Sequence, residues 1–435
     1  MNMKKIFKKI VVAIVTWEAQ MVIKRYNPKI IAITGSVGKT STKDAIFTVL
    51  SKFKTVRKSE KSFNSEIGLP LTILGCPNGW DNPFTWIENI VRGFWMIIWK
   101  GYYPEYLVLE VGVGKPGDIK NNVLPWLRTD IVVMTRFPDK PVHVEFFGSV
   151  EKIIEEKSAL IYTLKKDGVL ILNHDDEKVF ALHNKATGKT VSYGMNENAT
   201  YRASYPVYLY KNKNDISIPD GINFKLENEG HTFPVNLPNI ISLHHIGQAL
   251  ASLACAKEIG CDLLFSINAI KEYITPPGRL TLIEGINNSI IIDDTYNSSP
   301  IAMDVALEAL KEMKGKRKIA VLGDMLELGK FTQEEHHLVG EKIVGVADML
   351  VTVGIRAKYI AEGALENKFP KKEIYNFDSS KTVAKFLEGI VREGDIVLLK
   401  GSQGVRLERA VEAIMAHKED KKKVLCRQDK EWQNR

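Results

Sequence analysis

From Lys29 onward, apolar runs of strand length alternate with segments of helical spacing: KIIAIT at 29–34, a helix near 39–53, YLVLEV at 106–111, DIVVMT at 130–135, a helix near 150–164 and VLIL at 169–172. Runs with so few polar interruptions suit strands covered on both faces, and their alternation with helices predicts a mostly parallel sheet. A more polar, strand-rich stretch at about 190–235 interrupts the pattern, and helical spacing returns at 244–258. Thr275-Pro276-Pro277-Gly278 cannot continue a helix and reads as a hinge. Beyond it a second alternation begins, with strands near 289–293, 318–323, 349–353 and 395–400. The expected organisation is α/β throughout: a basic amphipathic helix at 1–28, a central domain at 29–277, a second α/β domain at 278–418 and a basic tail at 419–435. The tail is expected to be frayed and solvated.

Two apolar segments stand outside the alternation. Phe7, Ile10, Ile14, Trp17 and Met21 follow a three-four spacing that places them on one helical face, beside Lys4, Lys5, Lys8 and Lys9. The apolar run is too short and too interrupted to span a bilayer, and no small-residue cleavage site follows it. Packing on the domain and lying on an anionic membrane surface are both open to it. Residues 80–104 hold four of the seven tryptophans, Trp80, Trp86, Trp95 and Trp99, with Phe84, Phe94, Tyr102 and Tyr103. Such a segment can complete a core, line a ligand groove or sit at a membrane interface.

Composition narrows the class. A chain of 435 residues, 45% hydrophobic and 26% charged, is globular and long enough for two or three cores. The net charge of +8 owes much to the two terminal lysine clusters, including Lys421 to Lys423, and no pattern for nucleic-acid recognition accompanies it. Cys76, Cys255, Cys261 and Cys426 form neither a CxxC pair nor a metal-ligand spacing, which fits a reducing, cytoplasmic setting with association to a membrane left open.

The sharpest local chemistry lies between the first strand and the first following helix, at Thr34-Gly35-Ser36-Val37-Gly38-Lys39-Thr40-Ser41. Glycines let backbone amides curl around phosphate oxygens, the helix start adds positive potential, Lys39 reaches the outer phosphates and the Thr40 hydroxyl can ligate Mg²⁺. The spacing GxxGKT is two residues shorter than the usual loop, which marks a particular subset of nucleotide triphosphatases. Asn212-Lys213-Asn214-Asp215 reads NKxD, as in a GTPase, but follows no buried strand and has no DxxG before it, so it is taken as coincidence. Glu110, closing YLVLE, is a natural oxygen ligand for Mg²⁺ beside a triphosphate. His143 and Lys157, judged by residue type alone, read as ordinary surface or core residues.

Taken together, TGSVGKTSTK (34–43), NSEIGLPLTIL (64–74), LEVGVGKPGDI (109–119), HVEFFGS (143–149), EEKSALI (155–161), PPGRL (276–280), DDTYNSSP (293–300), VLGDMLELG (321–329) and LLKGSQGVRLE (398–408) resemble the Mur ligase superfamily, from Lys29 to about His417. Within it, the likeness is greatest to the branch that adds D-alanyl-D-alanine to a muramoyl peptide in peptidoglycan synthesis. The resemblance implies a central ATPase domain followed by a Rossmann-like C-terminal domain. It implies an ADP-forming ligase that makes an acyl phosphate from a peptide carboxylate and joins it to an amino acid or dipeptide. By the same resemblance Gly35, Ser36, Gly38, Lys39, Thr40 and Ser41 hold the ATP phosphates. Thr40 and Glu110 ligate one Mg²⁺; Glu110, His143 and Lys157 serve a second, with Lys157 carrying a carbamate made from CO₂. Gln248 faces the adenine, Arg279 reaches the phosphates across the hinge, and Asp294, with Tyr296 and Asn297 in its motif, holds the ribose. Lys400, Ser402 and Arg406 line the site for the amine substrate.

The sequence departs from the family pattern in several places. Members carry a UDP-substrate domain ahead of the loop, whereas this chain reaches the loop at Gly35 and is expected to lack that domain, which leaves room for a lipid-linked carboxylate. Ser62, Ser65, Arg136, Gln248 and His245 stand where other residues are usual. A Mur-type ligase with a different carboxylate, as in other wall polymers or glutamate tails, is the alternative enzyme. A non-catalytic nucleotide-binding partner is the alternative from another class, and the presence of Lys39, Thr40, Glu110, His143, Lys157, Arg279 and Asp294 weighs against it.

Overall fold

A computed structural model of the chain describes residues 3–60, 66–80, 82–137, 147–213, 216–429 and 432. Among them the first sheet has nine strands: β1 (Lys29–Thr34), β2 (Val56–Lys58), β3 (Tyr106–Glu110), β4 (Thr129–Met134), β5 (Leu164–Asn173), β6 (Lys189–Gly194), β7 (Tyr201–Lys213), β8 (Ile216–Asn228) and β9 (His231–Pro238). Their order is β2-β3-β1-β4-β5-β6-β7-β8-β9. The sheet is parallel from β2 to β7 and antiparallel across β7, β8 and β9. Asn212 and Lys213 end β7, in this antiparallel extension rather than after a parallel strand.

The apolar runs are explained by two buried faces. After Lys29 every residue of β1 is buried, and because side chains alternate, Ile31 and Ile33 enter one core while Ile30 and Ala32 enter the other. Six helices matter here: α1 (Met3–Tyr26), α2 (Lys39–Leu50), α3 (Gly68–Leu74), α4 (Pro83–Ile98), α5 (Val150–Ser158) and α6 (His245–Glu258). The first core lies under α2 and α6; the second lies under α1 and α3, with Trp86 from α4. The helix expected near 150–164 ends earlier, its last turn tightening into a 3₁₀ segment at Ala159–Thr163.

Helix α1 packs on the domain through Val11, Val15, Ala19 and Val22. This is not the face expected from the sequence, for Ile10 and Trp17 are exposed. Both sets satisfy the three-four spacing, since the helix is apolar on more than one side.

The second sheet comprises β10 (Thr281–Glu284), β11 (Ile290–Asp294), β12 (Arg317–Gly323), β13 (Met349–Val353), β14 (Ile374–Phe377) and β15 (Asp395–Lys400), in the order β10-β11-β15-β12-β13-β14. It is parallel except for the β10–β11 pair. The expectation of a frayed tail fails at Leu425, Cys426 and Arg427, which are buried. Arg427 Nη1 donates to Glu408 Oε2 at 3.1 Å and to the Thr295 carbonyl at 3.1 Å, so a buried ion pair ties the tail to the second domain. All four cysteines are buried and free.

Candidate functional site

Strand order places β1 between β3 and β4, so the loop leaving β1 is flanked by the carboxyl ends of both neighbours, where open α/β sheets bind ligands. Gly35 has φ +144, and a Cβ there would collide with Thr135 Oγ1, whose hydroxyl donates to the Val37 carbonyl at 2.8 Å. The Ser36 N–H donates to the Arg136 carbonyl at 2.6 Å, so the end of β4 holds the loop's shape. Gly38, at φ +85, precedes α2, which leaves the amides of Lys39 and Thr40 at a helix start.

Ten of the expected residues converge on one cleft of about 350 Å³. Ser36, Gly38, Lys39, Thr40, Ser41 and Glu110 line it from the first sheet; Arg279, Asp294, Asn297 and Lys400 line it from the second, with Tyr296. Thr40 Oγ1 donates to Glu110 Oε2 at 2.9 Å and accepts from Arg279 Nη2 at 3.0 Å. The linker arginine thus crosses from the second domain to the first residues of α2. Lys39 Nζ donates to the Ser36 carbonyl at 3.2 Å, and burial lowers its pKa, opposed in part by Glu110.

Lys157, on α5, is buried beneath the loop and donates to the Gly35 carbonyl and Ser36 Oγ, each at 2.8 Å. Burial, then the charge of Lys39, hold its pKa well below the usual lysine value. A buried amine beside another ammonium is biased toward the neutral, nucleophilic form. His143 lies outside the described residues, as do Ser62 and Ser65.

On the second sheet, Asp294 and Lys400 are register partners on adjacent parallel strands. Lys400 Nζ donates to Asp294 Oδ2 at 2.6 Å and to the Asn297 carbonyl at 3.0 Å, so its ammonium holds the Asp294 loop rather than standing open to a second substrate. Ser402 Oγ accepts from the Leu326 N–H at 2.9 Å and is buried outside the cleft lining. Arg406 turns away, pairing with Glu408 and lying over the Trp432 ring at 5.4 Å. Gln248 is buried next to Gly38, at the back of the loop.

Three participants escaped the sequence reading. Lys43 is fully buried 3.9 Å from Glu110 Oε2; it stands four residues after Lys39, on the same helical face, which is the signal that could have found it. His244 lines the cleft, and burial drops its pKa to about 4, while that of His245 falls to about 3, so both are neutral at pH 7. Arg427 stacks on one side of Tyr296 at 5.3 Å and Arg279 on it at 4.2 Å. The tail thereby supports the ring that steadies the linker arginine.

The donor set fits Mg²⁺ with a triphosphate. Thr40 and Glu110 supply a hydroxyl and a carboxylate side by side, and this ion commonly takes its other ligands from phosphates and water. Lys39, Lys43 and Arg279 surround the same point with positive charge, which suits a polyanion whose charge grows on an outer phosphoryl group.

Comparison with known proteins agrees with this geometry. Residues 99–256 match the model of the Mur ligase middle domain, and residues 278–403 match that of the Mur ligase, glutamate ligase domain. The chain is similar to the UDP-N-acetylmuramoyl-tripeptide–D-alanyl-D-alanine ligase of Bacillus subtilis, 30% identical over 401 residues, covering 91% of this chain and 78% of that one. The ligase of the same name from Escherichia coli is 26% identical, covering 91% and 79% respectively. Among solved structures, MurF ligase from Thermotoga maritima in complex with ADP superposes with a TM-score of 0.74 at 26% identity, over 92% of this chain and 83% of that one.

Proposed function

Because this chain belongs to the Mur ligase family, whose members are ATP-dependent, ADP-forming peptide ligases, we propose that it adds D-alanyl-D-alanine to a UDP-N-acetylmuramoyl tripeptide in peptidoglycan precursor synthesis. The observation that carries the reading is the meeting of Lys39, Thr40, Glu110 and Arg279, from two domains, in one cleft, with Thr40 hydrogen-bonded to both Glu110 and Arg279. The division at Pro277/Gly278 is part of the proposal and is supported by the two separate sheets on either side of it.

In this reading the amides of the 35–40 loop and Lys39 bind the β and γ phosphates. Thr40 and Glu110 would hold Mg²⁺, which would supply positive charge to those phosphates. Arg279 reaches the same phosphates only when the second domain is closed, which couples phosphate binding to exclusion of water from the reacting carboxylate. Asp294, fixed by Lys400, is oriented to accept hydrogen bonds from the ribose.

Lys157 carries a carbamate in this proposal. Its support is the burial of the amine and the nearby charge of Lys39, which lower its pKa and favour a neutral amine able to attack CO₂. A carbamate would offer oxygens toward the loop in place of that ammonium. With ¹³C-bicarbonate, the purified protein should show a carbamate carbon resonance that disappears in Lys157→Ala; its absence from the parent protein would remove the carbamate.

The ligase reading is tested by phosphate release from ATP and Mg²⁺ with UDP-N-acetylmuramoyl tripeptide and D-alanyl-D-alanine, singly and together. Release that requires both, with the joined product seen by mass, is the expected result. Release indifferent to both, or none at all, would overturn it. Contact with an anionic membrane surface is proposed separately from ligation, on the exposed tryptophans of α4.

A further inference from the structure

Helix α4 begins cleanly, with Asn82 Oδ1 accepting from the Phe84 N–H at 3.0 Å and Pro83 in the first turn. Its inner face, Trp86, Asn89 and Gly93, is buried. Its outer face is not polar. Phe84, Ile87, Val91, Phe94, Trp95, Ile98 and Trp99 recur at helical spacing and are all exposed, Phe84 by 79%, Trp95 by 61% and Trp99 by 65%. Trp17 of α1 lies against Phe94 with ring centroids 5.6 Å apart, and exposed Ile10 stands two turns before it on α1. Trp80 and Tyr102, just outside α4, are exposed as well. One helix face of a globular protein rarely carries so many large side chains in water unless something covers it.

The charges around this face are one-sided. Residues 8–26 and 82–104 contain six lysines or arginines and two carboxylates. One of the two, Glu18, is buried between α1 and α4 under Gly93 and contributes nothing to the surface. Lys9, Lys24, Arg25, Arg92 and Lys100 are exposed, and Arg25 Nη2 reaches the Ile98 carbonyl at 3.2 Å, which places a guanidinium at the rim of the apolar stripe. No helix among the described residues is long and apolar enough to cross a membrane. Tryptophan and phenylalanine on one face with cations at the rim is the composition that seats a helix in the headgroup region of anionic lipid.

We infer that the outer face of α1 and α4 is a docking surface for an anionic lipid bilayer. The face covers the core opposite α2 and α6, so docking there leaves the cleft at the strand ends open to nucleotide and to both peptide substrates. A second copy of the chain would match the apolar stripe but not its rim, because two such rims repel; lipid phosphates match both. The inference rests on the ligase reading for its place in envelope-precursor synthesis. Its experiment measures lipid binding without turnover, so either can fail alone.

The full chain is sedimented with extruded vesicles of phosphatidylcholine, with or without one-third phosphatidylglycerol. Binding should be about tenfold or more tighter to the anionic vesicles, and tryptophan emission should shift blue and be quenched by lipids brominated near the headgroups. Trp95→Glu with Ile98→Glu, both exposed and outside the core, should lose about tenfold or more of that affinity while nucleotide affinity is unchanged. Lys9→Glu with Lys100→Glu should abolish the preference for anionic vesicles. Equal recovery with and without vesicles would overturn the proposal, as would vesicle binding indifferent to the Trp95 and Ile98 substitutions. A lipid-independent dimer that these substitutions disperse would likewise overturn it and assign the face to a second copy.

Discussion

The nucleotide cleft and the α1–α4 face invert the usual placement of side chains in opposite directions. In and around the cleft, Lys39, Lys43, Lys157 and Lys400 are sheltered from water and carry low pKa values or tight carboxylate partners. On the α1–α4 face, tryptophans and phenylalanines stand in water. Burying an ammonium opposes folding, and leaving a large apolar side chain in water forgoes the stabilisation its burial would give. The difference lies in what would compensate: a polyanion and its metal in one case, lipid in the other. Departures from ordinary burial therefore locate two separate surfaces, and the chemistry of each departure names the ligand class.

The largest effects are expected at the cleft. Glu110→Gln keeps the size of the side chain but removes the charge beside Thr40, and should lower kcat for ligation about 10²–10³-fold or more, measured by phosphate release. Gly35→Ala should cost a similar factor with weaker ATP binding, because its Cβ collides with Thr135 and the loop must shift; unchanged ATP affinity would show that the loop does not need that shape. Arg427→Ala removes the outer cation from Tyr296 and should cost about tenfold, seen as a rise in KM for ATP, without altering the loop. The Trp95 and Ile98 variants should leave all these kinetic values unchanged in the absence of lipid.

The smallest effect is expected between α1 and α4. Glu18 is fully buried between α1 and α4 without a hydrogen-bond partner, and burial raises its pKa from 4.5 to about 7. The folded state therefore binds a proton more tightly than the unfolded state, so stability falls as pH rises from about 4.5 through 7. Glu18→Gln should stabilise the chain at pH 8 by up to about 3 kcal/mol and change nothing at pH 4. A thermal unfolding midpoint that moved equally at both pH values would contradict the assignment.

Much of this was legible in the sequence for identifiable reasons. Parallel strands buried on both faces write themselves as unbroken apolar runs, so β1, β4, β12, β13 and β15 could be found without a structure. The loop from Gly35 to Ser41 was legible because phosphate binding requires glycine, lysine and threonine at fixed spacing. What stayed hidden depends on tertiary neighbours. Lys43 looks like any helical lysine until Glu110 is placed beside it. The packed face of α1 could not be chosen between Val11, Val15, Ala19 and Val22 and the set containing Ile10 and Trp17, because both obey helical spacing. Arg406 belongs to a glycine-rich motif that reads as a substrate site, yet its side chain pairs with Glu408 and meets Trp432 of the tail. The short strands β2, β10 and β14 carry too few residues to show a period. That the tail docks at all follows from Leu425 joining a core that no local pattern announces.

If ATP activates the substrate's carboxylate, one oxygen of that carboxylate must leave on phosphate. UDP-N-acetylmuramoyl tripeptide labelled with ¹⁸O in its terminal carboxylate is incubated with the enzyme, ATP, Mg²⁺ and D-alanyl-D-alanine, and the released phosphate is analysed by mass. If a carboxylate oxygen attacks the γ-phosphorus and later leaves on phosphate as the amine takes its place, each product amide should be matched by one labelled phosphate. Amide formed with unlabelled phosphate would contradict the account.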